Sequence, residues 1–191
     1  HWSIEPQPPR RIRTGLCWRS VRVTSRKIML LGEIGVGKTS LVNRLVHGRF
    51  RTDYMPTINV EIYTYNLPET DDRPAVTLLI WDTDGNFGQT IFSSVYLKNA
   101  SAAIIVGDST RPATLKAMAG LTTGWREARA GRPLSLLLNK SDLLPDADTP
   151  ELPEELRAET TEPLFKTSAK TGENVDVAFH ATADAILRRG L

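Results

Sequence analysis

Residues 32–39 read GEIGVGKT, a G-x-x-x-x-G-K-[ST] spacing whose residue types suit the gripping of a polyphosphate. Glycines let a backbone curl so that consecutive N–H groups converge on one anion. A helix opening at Gly37 adds the positive end of its dipole. The cradle is thus Glu33, Ile34, Gly35, Val36, Gly37, Lys38, Thr39 and Ser40. Within it the Lys38 ammonium can reach outer phosphates, and the Thr39 hydroxyl can ligate Mg²⁺, a hard cation that prefers oxygen. A second stretch, WDTDGNFG at 81–88, places the Asp82 carboxylate at the end of an apolar run. Alone, Asp82 reads equally well as a turn residue; beside a phosphate loop it reads as a Mg²⁺ ligand, direct or through water. A third stretch, NKSD at 139–142, offers a carboxylate for the N1–H and 2-amino group of guanine, a donor pair adenine lacks. Here Asp142 would read the base, Asn139 would bond N7, and the Lys140 stem would lie over the ring. As a bare string it is also a polar turn after a strand. The triplet SAK at 168–170 (Ser168, Ala169, Lys170) carries little alone, although the Ala169 N–H suits guanine O6.

These residues need elements to hold them. KIMLL at 27–31 is a short apolar run suited to a buried strand feeding the glycine loop. A helical pattern follows, with Leu41, Leu45 and Val46 on one face. VEIYTYN at 60–66 alternates like a strand, and AVTLLIW at 75–81 is the next, across a polar turn from Pro68 to Pro74. AAIIV at 102–106, LSLLL at 134–138 and PLFKT at 163–167 complete six strands. Helical spacing covers 112–129 and 174–189, and a loop rich in Pro and acid covers 145–155. Continuous apolar strands lie in sheets covered on both faces. The pattern predicts an α/β fold with a six-stranded, mostly parallel sheet. The strand at 60–66, joined by a short turn to the next, is antiparallel.

A chain of 191 residues suits one domain with a full core, and 40% hydrophobic with 24% charged residues is ordinary for soluble globular proteins. No apolar stretch approaches the ~18 residues needed to span a bilayer. The lone Cys17 excludes an internal disulfide and a cysteine zinc site, which fits a reducing, cytoplasmic setting. Residues 1–27 hold seven basic residues against Glu5, a net +6; with +2 overall, the rest carries −4. We therefore divide the chain into a basic, flexible extension at 1–25 and one domain at 26–191. The extension reads as a solvated arm or as a contact to anionic lipid or nucleic acid. With no folded basic patch, nucleic acid is not an expected partner. His1, His47 and His180 lack metal-ligand spacing, and the latter two read as helix-surface residues.

Taken in order, GEIGVGKT, Thr57 in YMPTI, WDTDG, NKSD and SAK resemble the Ras-like small GTPases, in the style of the Rab branch, from about Arg26 to Leu191. The resemblance implies the three-layer P-loop NTPase fold, helices on both sheet faces, and binding of GTP or GDP with Mg²⁺. It implies that Phe50 stacks on the guanine edge and that Tyr54 closes over the phosphates. Thr57 would join Thr39 and Asp82 around the metal, and Gly85 would offer its N–H to the γ-phosphate. Segments 50–60 and 84–97 would be switches that meet regulators and effectors. The resemblance also implies phosphoryl transfer that rests on positioning and electrostatics. Catalysis would then rest on Lys38, Thr57, Gly85 and Asn86.

The chain departs from that family at several places. Where the family has Ala-Gly-Gln-Glu, it has Asp84, Gly85, Asn86 and Phe87. Asn86 keeps the water-aligning amide but is shorter by about 1.5 Å, one C–C bond, which predicts slow hydrolysis. Asp84 either turns inward, repelling a γ-phosphate or competing for Mg²⁺, or points to solvent. Ile34 stands where small residues are usual and would crowd an arginine finger. Asn59 stands where Rab-like proteins commonly have Gly. The sequence ends LRRGL without a cysteine, so no prenyl anchor is expected. Besides a slow GTPase switch, two readings stay open: a nucleotide-locked scaffold of the same fold, and an ATPase or kinase, against which NKSD argues.

Overall fold

The computed structural model describes residues 24–52, 57–145, 150–159 and 161–191. Tyr54 and residues 1–23 of the predicted extension lie outside the described residues. Six strands form one sheet: β1 Thr24–Leu31, β2 Val60–Leu67, β3 Val76–Thr83, β4 Ala102–Asp108, β5 Leu134–Asn139 and β6 Leu164–Lys166. Their order is β2-β3-β1-β4-β5-β6, all parallel except β2 against β3. The helices are α1 Lys38–His47, α2 Pro112–Ala128, α3 Glu154–Glu159 and α4 Val175–Arg188, with 3₁₀ segments at Gly85–Ser93, Val95–Leu97 and Ser141–Leu143. Helix α3 begins in the last two residues of the segment read as a Pro- and acid-rich loop and runs past it. At six residues it is too short to show a helical period.

The alternation of β1 divides the core in two. Ile28 and Leu30 face Leu41 and Val42 of α1 and Phe179 and Ile186 of α4. Met29 and Leu31 face Leu115, Met118 and Trp125 of α2. Every residue of β4 and β5 is buried, as expected for strands covered on both sides. Full burial of each such aliphatic side chain stabilises the fold by about 1.5–3 kcal/mol.

Strands β3, β4 and β5 run one or two residues past their apolar runs, because they end in polar residues that pair while facing the site, whereas β1 starts three residues early and β6 is shorter than its run. Asp82 lies inside β3, opposite Leu30 of β1, and Asp108 of β4 pairs with Asn139 of β5. The parallel sheet thereby gathers the C-terminal ends of β1, β3, β4 and β5 along one edge. Ligand sites of open α/β sheets form at that edge.

Two local features depend on this framework. Asn59 has φ 66°, the left-handed region that Asn tolerates better than most non-glycine residues, and its carbonyl accepts a hydrogen bond from the Asp84 N–H at 2.8 Å. The Gly-to-Asn exchange noted in the sequence therefore keeps the backbone shape. On the sheet's other face, Trp81 packs against Tyr96 (centroids 6.2 Å apart), and Tyr96 packs against Phe87 (5.7 Å). The Lys27 ammonium sits 3.4 Å from the Trp81 ring centroid and donates to the Tyr96 carbonyl. His47 is exposed, whereas His180 is half-buried, with Nε2 3.3 Å from the Tyr65 hydroxyl.

Candidate functional site

The loop after β1 closes tightly. Gly37 has φ 97°, and a side chain there would meet the Asn139 amide nitrogen at 2.4 Å, so only glycine fits. The Lys38 ammonium folds back over the loop onto the Gly32 carbonyl (2.8 Å) and the Glu33 carbonyl (2.9 Å). Burial lowers its pKa to about 8, against the upward pull of Asp82, Asp84 and Glu33, while Arg111 adds to the lowering. A buried ammonium whose hydrogen-bond partners among the described residues are two carbonyls is well placed to accept a polyanion.

Beside it, the Thr39 hydroxyl donates to Asp82 Oδ2 at 2.5 Å and lies 2.8 Å from the Thr57 hydroxyl. Thr57 also reaches Asp82 Oδ2, at 3.5 Å. Asp82 Oδ1 is buried with no hydrogen-bond partner among the described residues. An orphaned carboxylate oxygen is costly unless something cationic joins it. Two hydroxyls and one carboxylate form an all-oxygen set, which fits Mg²⁺ with phosphate and water oxygens completing its shell.

Burial raises the Asp82 pKa to about 6, partly offset by the Thr39 hydrogen bond and by Lys38. The proton is therefore held more tightly by the folded than by the unfolded chain. Without metal, this group destabilises the fold at neutral pH, and the loss recovers as pH falls through 6. We expect wild type to gain about 2 kcal/mol relative to Asp82→Asn between pH 7 and 4.5. Denaturant titrations of both metal-free proteins test this; parallel pH profiles would contradict it. Mg²⁺ competes with that proton, so its apparent affinity should fall about tenfold per pH unit below 6.

The second group lies at the ends of β5 and β6. Asn139 is buried; its amide donates to the Val36 carbonyl (2.9 Å) and accepts from the Ala169 N–H (3.2 Å). It therefore ties the phosphate loop to the loop after β6, a role the sequence did not suggest beside its expected bond to N7. Ser168 donates to Asp142 Oδ1 at 2.6 Å, which orients the other carboxylate oxygen, 3.8 Å from the Lys170 ammonium. Arg44 of α1 braces the same loop through the Ala169 carbonyl at 2.8 Å and the Lys170 carbonyl at 2.5 Å.

One cavity of about 670 Å³ joins both groups. Its lining includes Ile34, Gly35, Gly37, Lys38, Thr39, Ser40, Phe50, Thr57, Gly85, Asn86, Asn139, Lys140, Asp142, Ala169 and Lys170. Glu33, Val36, Asp82 and Ser168 support it from behind through the contacts just described. Gly85 packs directly on the phosphate loop, where a side chain would lie 2.3 Å from the Ile34 nitrogen. Asp84 also lines the cavity, half-buried, with Oδ1 accepting the Asn86 N–H at 2.9 Å. Of the two orientations left open by the sequence, the structure has the cavity-lining one. Ile34 is 45% exposed over the cavity mouth.

Two residues escaped the sequence reading. Asp108 is buried at the end of β4 and receives Lys140, Arg111 and Thr110. Burial alone would raise its pKa, but these partners outweigh it and hold the carboxyl below the usual range. The string D-S-T-R-P after an apolar strand is the only signal of this arrangement in the sequence.

A phosphate loop, a buried carboxylate backing two threonines, and an NKSD loop on one sheet edge define a Ras-like, Rab-like small GTPase. The Ras family model matches residues 27–188, and the chain belongs to that family. The GTP-binding protein ypt5 of Schizosaccharomyces pombe is 38% identical over 168 residues, 86% of this chain and 79% of its own. Ras-related protein Rab7 of Glycine max is 34% identical, covering 87% of this chain and 84% of its own. Ras-related protein Rab5A of Oryza sativa is 31% identical, covering 87% and 82%. Family members are GTP-binding switch GTPases that use Mg²⁺ and act through regulators and effectors. Among the described residues, no helix is long and apolar enough to cross a membrane.

Proposed function

We propose that this chain is a guanine-nucleotide switch that binds GTP or GDP with Mg²⁺ and hydrolyses GTP slowly. The observation that carries this reading is one cavity with Lys38, Thr39 and Thr57 at one end and Lys140, Asp142 and Ala169 at the other. Glu33 to Ser40 cradle the phosphates, and Lys38 stabilises charge on the outer ones. Thr39, Thr57 and Asp82 hold Mg²⁺, which supplies charge neutralisation on the phosphate oxygens when bound. Asp142, oriented by Ser168, reads guanine N1–H and the 2-amino group; the Lys140 stem lies over the ring and Phe50 stacks on its edge; Asn139 bonds N7, the Ala169 N–H meets O6, and Lys170 shapes the pocket. Tyr54 closes over the phosphates, Gly85 N–H meets the γ-phosphate, and Asn86 orients the attacking water. Catalysis is positioning and electrostatics, with no covalent step on the protein.

Regulators and effectors would meet segments 50–60 and 84–97, where Ile58 and Val95 stand exposed. The folded domain includes Thr24 and Ser25, which pair with β3, so the boundary read at residue 26 falls inside β1. A nucleotide-locked scaffold is the second reading, favoured by Asp84 lining the cavity and by the short, exposed Asn86.

Calorimetry with GDP, GTP and ADP in Mg²⁺ tests the assignment. Both guanine nucleotides should bind and ADP should not. Asp142→Asn should lose at least about tenfold in GDP affinity, since a hydrogen bond to a charged group contributes about 1.5–3 kcal/mol. Binding of neither guanine nucleotide, or ADP binding that Asp142→Asn leaves intact, would overturn it.

A further inference from the structure

Asn139 is one tie between the two ends of the cavity; the structure contains another, built on Asp108. Its Oδ2 receives the Lys140 ammonium at 2.6 Å and the Arg111 Nε at 2.9 Å, while Oδ1 accepts the Thr110 N–H at 2.9 Å and hydroxyl at 2.7 Å. Arg111 then spends a second nitrogen, Nη2, on the Ile34 carbonyl at 2.8 Å. One carboxylate thus holds a lysine of the base end and an arginine that grips the phosphate loop.

The local sequence prepares this grip. Pro112 opens α2 at its first position, and the residue before a proline is kept extended. Arg111 accordingly has φ −126° and ψ 93°, outside the helix. A trans peptide is planar, so its C=O and N–H point in opposite directions. A guanidinium on the Ile34 carbonyl therefore aims the Gly35 N–H away from Arg111. Gly35 lines the cavity, and Arg111 does not.

Resting on the guanine-nucleotide reading above, we infer that Arg111 is a positioning residue, fixing the Ile34–Gly35 peptide through Asp108 so that bound nucleotide leaves slowly. Arg111 is 44% exposed, and Asp108, 1% exposed, keeps Lys140 and Thr110 when the guanidinium is removed, so its charge stays compensated. What Arg111 contributes is orientation: its fork spans two acceptors at once, which a lysine ammonium cannot reproduce. Because Asp108 also holds Lys140, disturbance at the base end reaches the phosphate loop through the same atom.

The test uses the full chain loaded with Mg²⁺ and methylanthraniloyl-GDP, chased with excess GDP. Arg111→Ala should release nucleotide about tenfold faster, with association unchanged within about twofold, and Arg111→Lys should fall between. The melting temperatures of the nucleotide-free proteins should agree. Adding Arg111→Ala to Asp108→Asn should change release little, since both cut one connection. Unchanged release in Arg111→Ala or wild-type release in Arg111→Lys would overturn the inference. So would fully additive effects of Arg111→Ala and Asp108→Asn. If wild type takes up no labelled GDP, the guanine-nucleotide reading fails instead.

Discussion

Asp84→Ala should shift the preference from GDP toward GTP by about thirtyfold. Asp84 lines the cavity, and its charge is felt at Lys38, the residue expected to meet the outer phosphates. Its placement is fixed at three points. Its N–H bonds to the Asn59 carbonyl, its carboxylate caps the Asn86 N–H, and the next residue, Gly85, abuts the Ile34 backbone. A third phosphate adds negative charge near this carboxylate, whereas a diphosphate ends further away. Two like charges at about 8 Å and an effective dielectric near 20 repel by about 2 kcal/mol, which is the stated thirtyfold. Asp84→Asn keeps an acceptor for Asn86 and removes the charge, so it should reproduce most of the shift. Affinities for labelled GDP and a non-hydrolysable GTP analogue give the ratio directly. A ratio that stays put in both variants means the carboxylate does not meet the third phosphate.

Asn86→Gln should accelerate single-turnover hydrolysis, by up to about 100-fold. Asn86 is exposed and lines the cavity as part of the 3₁₀ segment after β3. Its amide falls short of a glutamine's by about one C–C bond, about 1.5 Å. Misplacement of a reacting group by about 1 Å costs on the order of 100-fold. The extra methylene returns that reach, and an exposed position accommodates it without repacking. Nucleotide affinity should barely change, since the gain lies in the transition state. If neither wild type nor Asn86→Gln turns over bound GTP, the scaffold reading replaces the slow switch.

Much of this architecture was legible in the sequence because the apolar runs are long and the glycine loop sits between a strand and a helix. The antiparallel β2 followed from its short connection to β3. What escaped notice lies where apolar pattern gives way to polar pairing. Asp82 reads as the close of its strand and lies in β3, whereas Asp108 also belongs to a strand, yet a carboxylate after an apolar run reads as the start of a loop. Asp108 pairs locally with Arg111, but it gains Lys140 only where β4 meets β5 in register, opposite Asn139. Asn139 was assigned to the base, but its buried amide bonds the Val36 carbonyl, a partner 103 residues away. Such long-range polar ties leave no periodicity. The left-handed Asn59 is a milder case: the sequence marked an exchange, and only the φ angle explains why asparagine suffices.

Trp81 gives this protein an optical gauge of its own. The indole stands next to Asp82 in β3 and leans on Tyr96 and the Lys27 ammonium, and Tyr96 in turn leans on Phe87. Trp125, by contrast, is a fully buried residue of α2, in the core cluster against which Trp81, Phe87 and Tyr96 pack from the more exposed side. A rearrangement of residues 84–97 that moves Tyr96 or Phe87 changes what surrounds Trp81. With Trp2 and Trp18 replaced by phenylalanine, emission from the unlabelled chain should change on exchanging GDP for a GTP analogue and lose that response in Trp81→Phe.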